Sequence, residues 1–146
     1  MKLHHVSIRT ADIFRSIAFY EGLGLAVEER FTAGIALACW MHGPWGRLEL
    51  MQVPQPQPAP DPFGDPHYVG YYHPSLEIGP EWGSLAGYLE HLQAQVPLTL
   101  LLPPQLQQIG HQTYEVAFIA DPDGLPIELL RLQGSPESQQ LGKEGC

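Results

Sequence analysis

Between Leu48 and Leu130 the chain contains no lysine or arginine. The whole sequence has 7 basic residues against 16 acidic ones, a formal charge of −9 at pH 7. A surface without cations over so long a stretch cannot neutralise a run of phosphates, so nucleic acid and anionic membrane are excluded as partners. A small molecule is left as the ligand. Cysteine is almost as scarce: Cys39 and Cys146 form neither a CxxC pair nor a disulfide framework, which argues against redox chemistry and thiolate-bound zinc. No apolar run approaches the roughly 20 residues that span a bilayer. Strand-like alternation begins at Leu3 and leaves no room for a secretory leader, so the expected location is the cytoplasm.

What is present is a repeat. In 146 residues, enough for one domain or two small modules, His5, Ser7, Ser16, Ala18 and Tyr20 recur at an offset of 68 as His73, Ser75, Ser84, Ala86 and Tyr88. Leu48-Glu49-Leu50 recurs as Ile127-Glu128-Leu129 at an offset of 79, which puts eleven extra residues into the second copy. The periodicities agree with this. Leu3 to Arg9 alternates as a strand, Asp12 to Tyr20 places Ile13, Ile17 and Tyr20 at helical spacing, and Leu25 to Thr32, Ile35 to Met41 and Arg47 to Val53 read as three further strands. The second copy repeats the order: strand Tyr71 to Ile78, helix Glu81 to Gln95, then strands Leu98 to Leu102, Gln112 to Ala120 and Leu125 to Leu132. The expected fold is α+β, with two βαβββ modules forming a cupped mixed sheet and the helices on its convex side.

The expected boundaries follow. Residues 1–53 form the first module and 71–132 the second, together one domain. Between them, 54–70 carries Pro54, Pro56, Pro58, Pro60, Pro62 and Pro66 and reads as an extended linker, with Phe63, His67 and Tyr68 at its far end as candidates to overhang a pocket. The polar stretch 133–146 reads as a mobile tail.

Side chains alternate across a strand, so each polar residue takes a face from its neighbours. Val6 and Ile8 oppose His5, Ser7 and Arg9; Leu48 and Leu50 oppose Arg47 and Glu49. In the second copy Leu76 and Ile78 oppose His73, Ser75 and Glu77, while Ile127 and Leu129 oppose Glu128. All four repeated His and Glu residues therefore stand opposite the apolar face, on the concave side. Two imidazoles and two carboxylates from four strands suit one divalent cation, Zn²⁺, Ni²⁺, Fe²⁺, Mn²⁺ or Co²⁺, held by His5, Glu49, His73 and Glu128 with positions open to substrate. By the same parity His4 falls on the side away from His5. Arg9 and Glu77 occupy equivalent positions and are expected to form an ion pair or to line the substrate site.

His5-Val6, the helix Asp12-x-x-Arg15-Ser16-Ile17-Ala18-Phe19-Tyr20 followed by Leu23-Gly24, and Asp121-Pro122-Asp123-Gly124 ahead of Glu128 resemble the vicinal oxygen chelate superfamily. Its members include glyoxalase I, extradiol dioxygenases, methylmalonyl-CoA epimerase, and fosfomycin and bleomycin resistance proteins. The resemblance, over residues 3 to 132, implies paired βαβββ modules around a metal, with the same four residues as ligands. That ligand set is similar to glyoxalase I. The basic residues with which glyoxalase I holds the carboxylates of glutathione have no counterpart here, and Val53 stands where that family carries an asparagine.

The expected activity is accordingly that of a metal-dependent, glyoxalase-like lyase or isomerase acting on a small oxygen-chelating substrate without glutathione. In it a glutamate, Glu128 first and Glu49 second, moves a proton. Arg9, Arg47, Met51, Ser75 and Glu77 are the candidate substrate-binding residues, with Arg131 a further nearby cation. Two alternatives stand beside it: an Fe²⁺ extradiol-type dioxygenase using His5, His73 and Glu128, and a non-catalytic protein that binds an apolar small molecule, like the bleomycin resistance proteins. The superfamily closes its sheets within one chain or between two, and a homodimer is the expectation here.

Overall fold

A computed structural model describes residues 1–134. The first half runs β1 (Val6–Thr10), α1 (Ile13–Gly22), β2 (Ala26–Ala33), β3 (Ala36–Gly43) and β4 (Gly46–Gln52). The second runs β5 (Ser75–Glu77), a 3-10 turn (Pro80–Trp82), α2 (Leu85–Gln93), β6 (Thr99–Ile109), β7 (Gln112–Ala120) and β8 (Pro126–Gly134). The result is two βαβββ modules of an α+β fold. Their strands form two four-stranded sheets, ordered β1-β4-β3-β2 and β5-β8-β7-β6. Each is mixed: β1 lies parallel to β4 and β5 to β8, and the remaining pairs are antiparallel.

Local chemistry sets the helix ends. The Asp12 carboxylate accepts from the backbone N–H groups of Phe14 and Arg15 and starts α1, and the Ser84 hydroxyl accepts from Gly87 N–H and starts α2. Ile13, Ile17 and Tyr20 form the buried stripe of α1, and Leu85, Leu89 and Leu92 that of α2. These stripes meet Leu48 and Leu50 of β4 and Ile127 and Leu129 of β8 in one core that draws on both modules.

The caps stand 72 residues apart, whereas Ser7 and Ser75 are separated by 68. The helical half of the sequence repeat is therefore out of register. Ser16 is buried in the body of α1 but Ser84 is a cap, and Leu92, not Tyr88, stands in the place of Tyr20. The 3-10 turn absorbs the four extra residues.

Other bounds shift for identifiable reasons. Only Ser75–Glu77 pairs with β8, so β5 is shorter than the expected Tyr71 to Ile78. The β6 strand continues past Leu102 through Pro103 and Pro104, which an edge strand tolerates where its register is irregular. Gln133 and Gly134 belong to β8 rather than to the tail, and residues 135–146 lie outside the described residues. No described helix is long and apolar enough to cross a membrane.

A polar clasp joins the modules. The Tyr20 hydroxyl donates to Asp121 at 2.9 Å. Asp123 accepts from the Thr10 hydroxyl at 2.6 Å, from Ala11 N–H at 3.2 Å and from Arg15 Nη2 at 3.1 Å. At the end of α1 side chains of the second module pack closely on Gly22, where a Cβ would lie 3.0 Å from a Val96 methyl. The helix motif and the Asp-Pro-Asp-Gly turn thus do architectural work and stand apart from the polar sheet face.

Candidate functional site

Each module carries the same polar arrangement on the sheet face away from the helices. In the first, Ser7 of β1 lies beside Glu49 of β4, and Trp40 of β3 faces Glu49 from the other side. In the second, Ser75 of β5 lies beside Glu128 of β8, and Phe118 of β7 faces Glu128. His5 and His73 each lie two residues before the serine. Pairing register brings each serine, glutamate and aromatic residue together, while His5 and His73 sit just ahead of β1 and β5.

Around Glu49 the contacts are dense. Ser7 Oγ donates to Oε1 at 2.7 Å, Trp40 Nε1 donates to Oε2 at 2.9 Å, and His5 Nε2 lies 3.7 Å from Oε2. Burial pushes the Glu49 carboxyl up, but the hydrogen bonds from Ser7 and Trp40 and the charge of His5 outweigh it, and the group lies below the usual carboxylate range. The His4 and His5 Nδ1 atoms are 2.8 Å apart, so one ring donates to the other. The expectation that His4 turns away from His5 is overturned: His4 precedes β1, where strand alternation no longer governs its direction.

The second module is more apolar. Ser75 Oγ donates to Glu128 Oε1 at 2.5 Å and lies 3.3 Å from His73 Nδ1, which also approaches the Pro74 carbonyl at 3.1 Å. Phe118 packs edge-on to the His73 ring at 4.9 Å and against Phe63 at 5.1 Å; Tyr72 lies 4.4 Å from His73. Phe63 is the one residue of the expected overhang that the structure places against this half-site.

The donor set fits a divalent ion. Two ligands each about 2.1 Å from one ion at a tetrahedral angle stand about 3.4 Å apart, near the observed His5–Glu49 separation. When His5 donates from Nδ1, its Nε2 lone pair faces a carboxylate oxygen, and two electron-rich atoms so placed call for a cation between them. The four candidates come together two at a time, His5 directly with Glu49 and His73 through Ser75 with Glu128. Among the described residues no three His, Cys, Asp or Glu side chains gather around one point. The two groups lie one on each four-stranded sheet, His5 and Glu49 with β1-β4-β3-β2 and His73, Ser75 and Glu128 with β5-β8-β7-β6.

The candidate substrate residues divide similarly. Arg9 and Met51 are register neighbours beside the first half-site. Arg9 and Glu77 do not pair: among the described residues neither makes an ion pair. Arg47 is taken, donating to both carboxylate oxygens of Glu28 at 2.6 and 2.8 Å. Ser75 is bound to Glu128, and Glu77 lies exposed one register step along. Arg131 points to the helix side, 3.6 Å from Glu115, whose Oε2 also accepts from Leu85 N–H at the start of α2. Sequence reasoning turned His4 away from His5 and did not set Trp40 as the hydrogen-bond donor to Glu49. The signals were present, since Trp40 shares the parity of Glu49 across a hairpin and His4 adjoins His5.

A family model described as the Glyoxalase/Bleomycin resistance protein/Dioxygenase superfamily matches residues 2–129. No curated protein matches the sequence. Among solved structures, a glyoxalase family protein from Bacillus cereus superposes with a TM-score of 0.69 at 20% identity, covering 92% of this chain and 95% of that one. A glyoxalase family protein from Enterococcus faecalis gives 0.68 at 22%, covering 88% and 96%. A variant of the genomically encoded fosfomycin resistance protein of Listeria monocytogenes, complexed with Mn(II) and 1S,2S-dihydroxypropylphosphonic acid, gives 0.64 at 15%, covering 95% and 97%. At these identities the likeness is one of fold.

Proposed function

The chain belongs to the glyoxalase/bleomycin resistance protein/dioxygenase superfamily, and from that membership we propose a divalent-metal enzyme of the lyase or isomerase class that moves a proton on a small oxygen-chelating substrate. The observation that supports this most is the paired serine–glutamate–histidine arrangement, built twice at matching register. His5, Glu49, His73 and Glu128 are the ligands. One Ni²⁺, Zn²⁺, Fe²⁺, Mn²⁺ or Co²⁺ bound there would supply a Lewis acid for two vicinal oxygens, making a neighbouring C–H bond more acidic.

Glu128 takes that proton and returns it to the adjacent carbon. Its Oε1 accepts from Ser75, and Phe118, with Tyr72 and His73 packed on its ring, faces it across the β7–β8 pair. Arg9 and Met51 stand on the same face as Ser7 and Glu49, which favours a mostly apolar substrate with at most one negative charge. Each chain offers two incomplete half-sites, so the reading includes a homodimer in which the first half-site of one copy meets the second of the other. The buried free thiol of Cys39 accords with a reducing cytoplasm.

The test is metal content with solvent-deuterium exchange into hydroxyacetone. The reading expects one ion per chain in a two-chain particle, and exchange that Glu128→Gln abolishes while the ion is retained. Protein that takes up none of the five metals would refute it.

A further inference from the structure

The two half-sites share one plan and differ in the side chain that faces the glutamate from the neighbouring strand. Trp40 faces Glu49 across the β3–β4 pair, and Phe118 faces Glu128 across the β7–β8 pair at the equivalent register. Tryptophan brings a ring N–H and phenylalanine does not. Glu49 consequently accepts at both oxygens, from Ser7 and Trp40. Glu128 accepts from Ser75 at Oε1, and among the described residues nothing donates to its Oε2.

The indole is itself held. Its ring packs at 5.0 Å from His4, 5.9 Å from His5 and 5.2 Å from Phe31, and the Arg47 guanidinium lies 5.9 Å from its centre. Arg47 is fixed in turn by Glu28. Swinging Trp40 away would break four contacts besides its hydrogen bond.

We propose that Trp40 is the positioning residue that makes the two glutamates unequal: it pins Glu49 as a fixed ligand, and phenylalanine at the matching place leaves Glu128 free to move and carry the proton. This rests on the metal-dependent reading above and deepens it. With one mobile carboxylate on one side of the bound substrate, proton transfer is one-handed. The C–H bond breaks on a single face, its proton passes to Glu128 and its electron pair enters the neighbouring carbonyl; as the hydroxyl proton passes to that carbonyl oxygen, the pair returns to the adjacent carbon and Glu128 protonates it from the same face.

The test uses the full chain and Mn²⁺ alone, with carboxyl-¹³C glutamate NMR on the metal-free protein as an independent arm. Trp40→Phe keeps an aromatic ring but removes the donor, and should weaken Mn²⁺ binding 10- to 100-fold, the range for losing an outer partner of a ligand. Phe118→Trp, which offers Glu128 a donor, should not weaken it. In the metal-free wild type the Glu49 carboxyl carbon should give one sharp signal and that of Glu128 an exchange-broadened one. Trp40→Phe should broaden the first and Phe118→Trp should sharpen the second. Equal sharpness of the two carbons in the wild type overturns the proposal without any variant having to fold. Mn²⁺ binding by Trp40→Phe within twofold of wild type also overturns it. Wild-type protein that binds no ion refutes the metal-dependent reading instead, and the carboxyl signals then decide the role of Trp40 by themselves.

Discussion

The hydroxyl of Tyr20, at the buried end of α1, donates to the carboxylate of Asp121, 101 residues further along the chain, at 2.9 Å. Asp121 Oδ1 meanwhile accepts from the backbone N–H groups of Asp123 and Leu125. This contact ties the helix of one module to the β7–β8 turn of the other, alongside the Asp123 hydrogen bonds and the shared core. Removing the hydroxyl leaves a buried carboxylate oxygen without its donor. Tyr20→Phe should cost about 1.5–3 kcal/mol, the scale for a hydrogen bond to a charged group. That amounts to a Tm roughly 5–10 °C lower, measurable by calorimetry.

The same pair fixes the sign of a pH effect. Burial, then the charge and hydrogen bond of Asp121, push the Tyr20 phenol well above its usual range. Burial also raises Asp121, against the opposing hydrogen bonds from Leu125, Tyr20 and Asp123. Both groups bind a proton more tightly folded than unfolded, so their contribution is present at low pH and lost as pH rises. The loss comes first across the carboxylate range and again above about pH 10. Urea titrations at pH 7 and pH 10.5 should show stability falling in the wild type and falling less in Tyr20→Phe. Some of the alkaline fall should survive in the variant, because burial also raises Tyr88 and Cys39.

Incomplete half-sites make complementation a sharp test of how they are completed. If His5 and Glu49 of one copy meet His73 and Glu128 of the other, a mixed dimer of His5→Ala and His73→Ala chains contains one wholly intact site and one doubly broken site. Neither variant alone should bind an ion stoichiometrically. After unfolding and refolding together, random pairing makes half of the dimers mixed, and metal content should recover to about a quarter of wild type. No recovery, together with a one-chain particle by light scattering, would place the closed site within a single chain.

Much of this arrangement was legible in the alternation of the strands. Period two put His5, Ser7, Glu49, His73, Ser75 and Glu128 on one side and Leu48, Leu50, Ile127 and Leu129 on the other, and burial bears out the apolar half. What alternation cannot carry is length and register across turns. Letter matches at 68 ran through Tyr20 and Tyr88, but the caps Asp12 and Ser84 fix the helices at 72. Nor does one-dimensional parity say which residue on a neighbouring strand meets a given glutamate. Trp40 became visible as the partner of Glu49 only once β3 and β4 were paired.

The serines should matter to the ion and little to the fold. Ser7 and Ser75 each donate to a glutamate at an exposed position. Surface substitutions away from core and caps usually change stability by no more than about 0.5 kcal/mol. Losing a hydrogen bond that orients a ligand costs 10- to 100-fold in metal affinity. Ser7→Ala and Ser75→Ala should therefore each weaken Zn²⁺ binding at least about tenfold by isothermal titration, with Tm within about 2 °C of wild type. A fall in Tm with unchanged affinity would assign the serines to the fold instead.

Charge decides the last expectation. A glutathione hemithioacetal carries two carboxylates, and each charge-assisted hydrogen bond to one is worth about 1.5–3 kcal/mol. Of the five arginines among the described residues, Arg30 of β2 is in register with Cys39 and Leu50, on the face opposite Glu49. Arg47 is held by both oxygens of Glu28. Arg15 serves the clasp through Asp123. Arg131 lies on the helix side with Glu115. Arg9, beside Met51, is left on the polar face with no carboxylate partner among the described residues. One free arginine on that face cannot match two carboxylates, and the net charge of −9 repels an anion on approach. The hemithioacetal of methylglyoxal and glutathione should show no measurable turnover with Ni²⁺, Zn²⁺, Fe²⁺, Mn²⁺ or Co²⁺. Glu28→Gln, which releases Arg47 to the same face, should improve binding of anionic over neutral chelators. Turnover of the hemithioacetal by the wild type on the order of 10 per second would mean that the carboxylates are recognised by backbone donors, and that the missing cations say nothing about substrate.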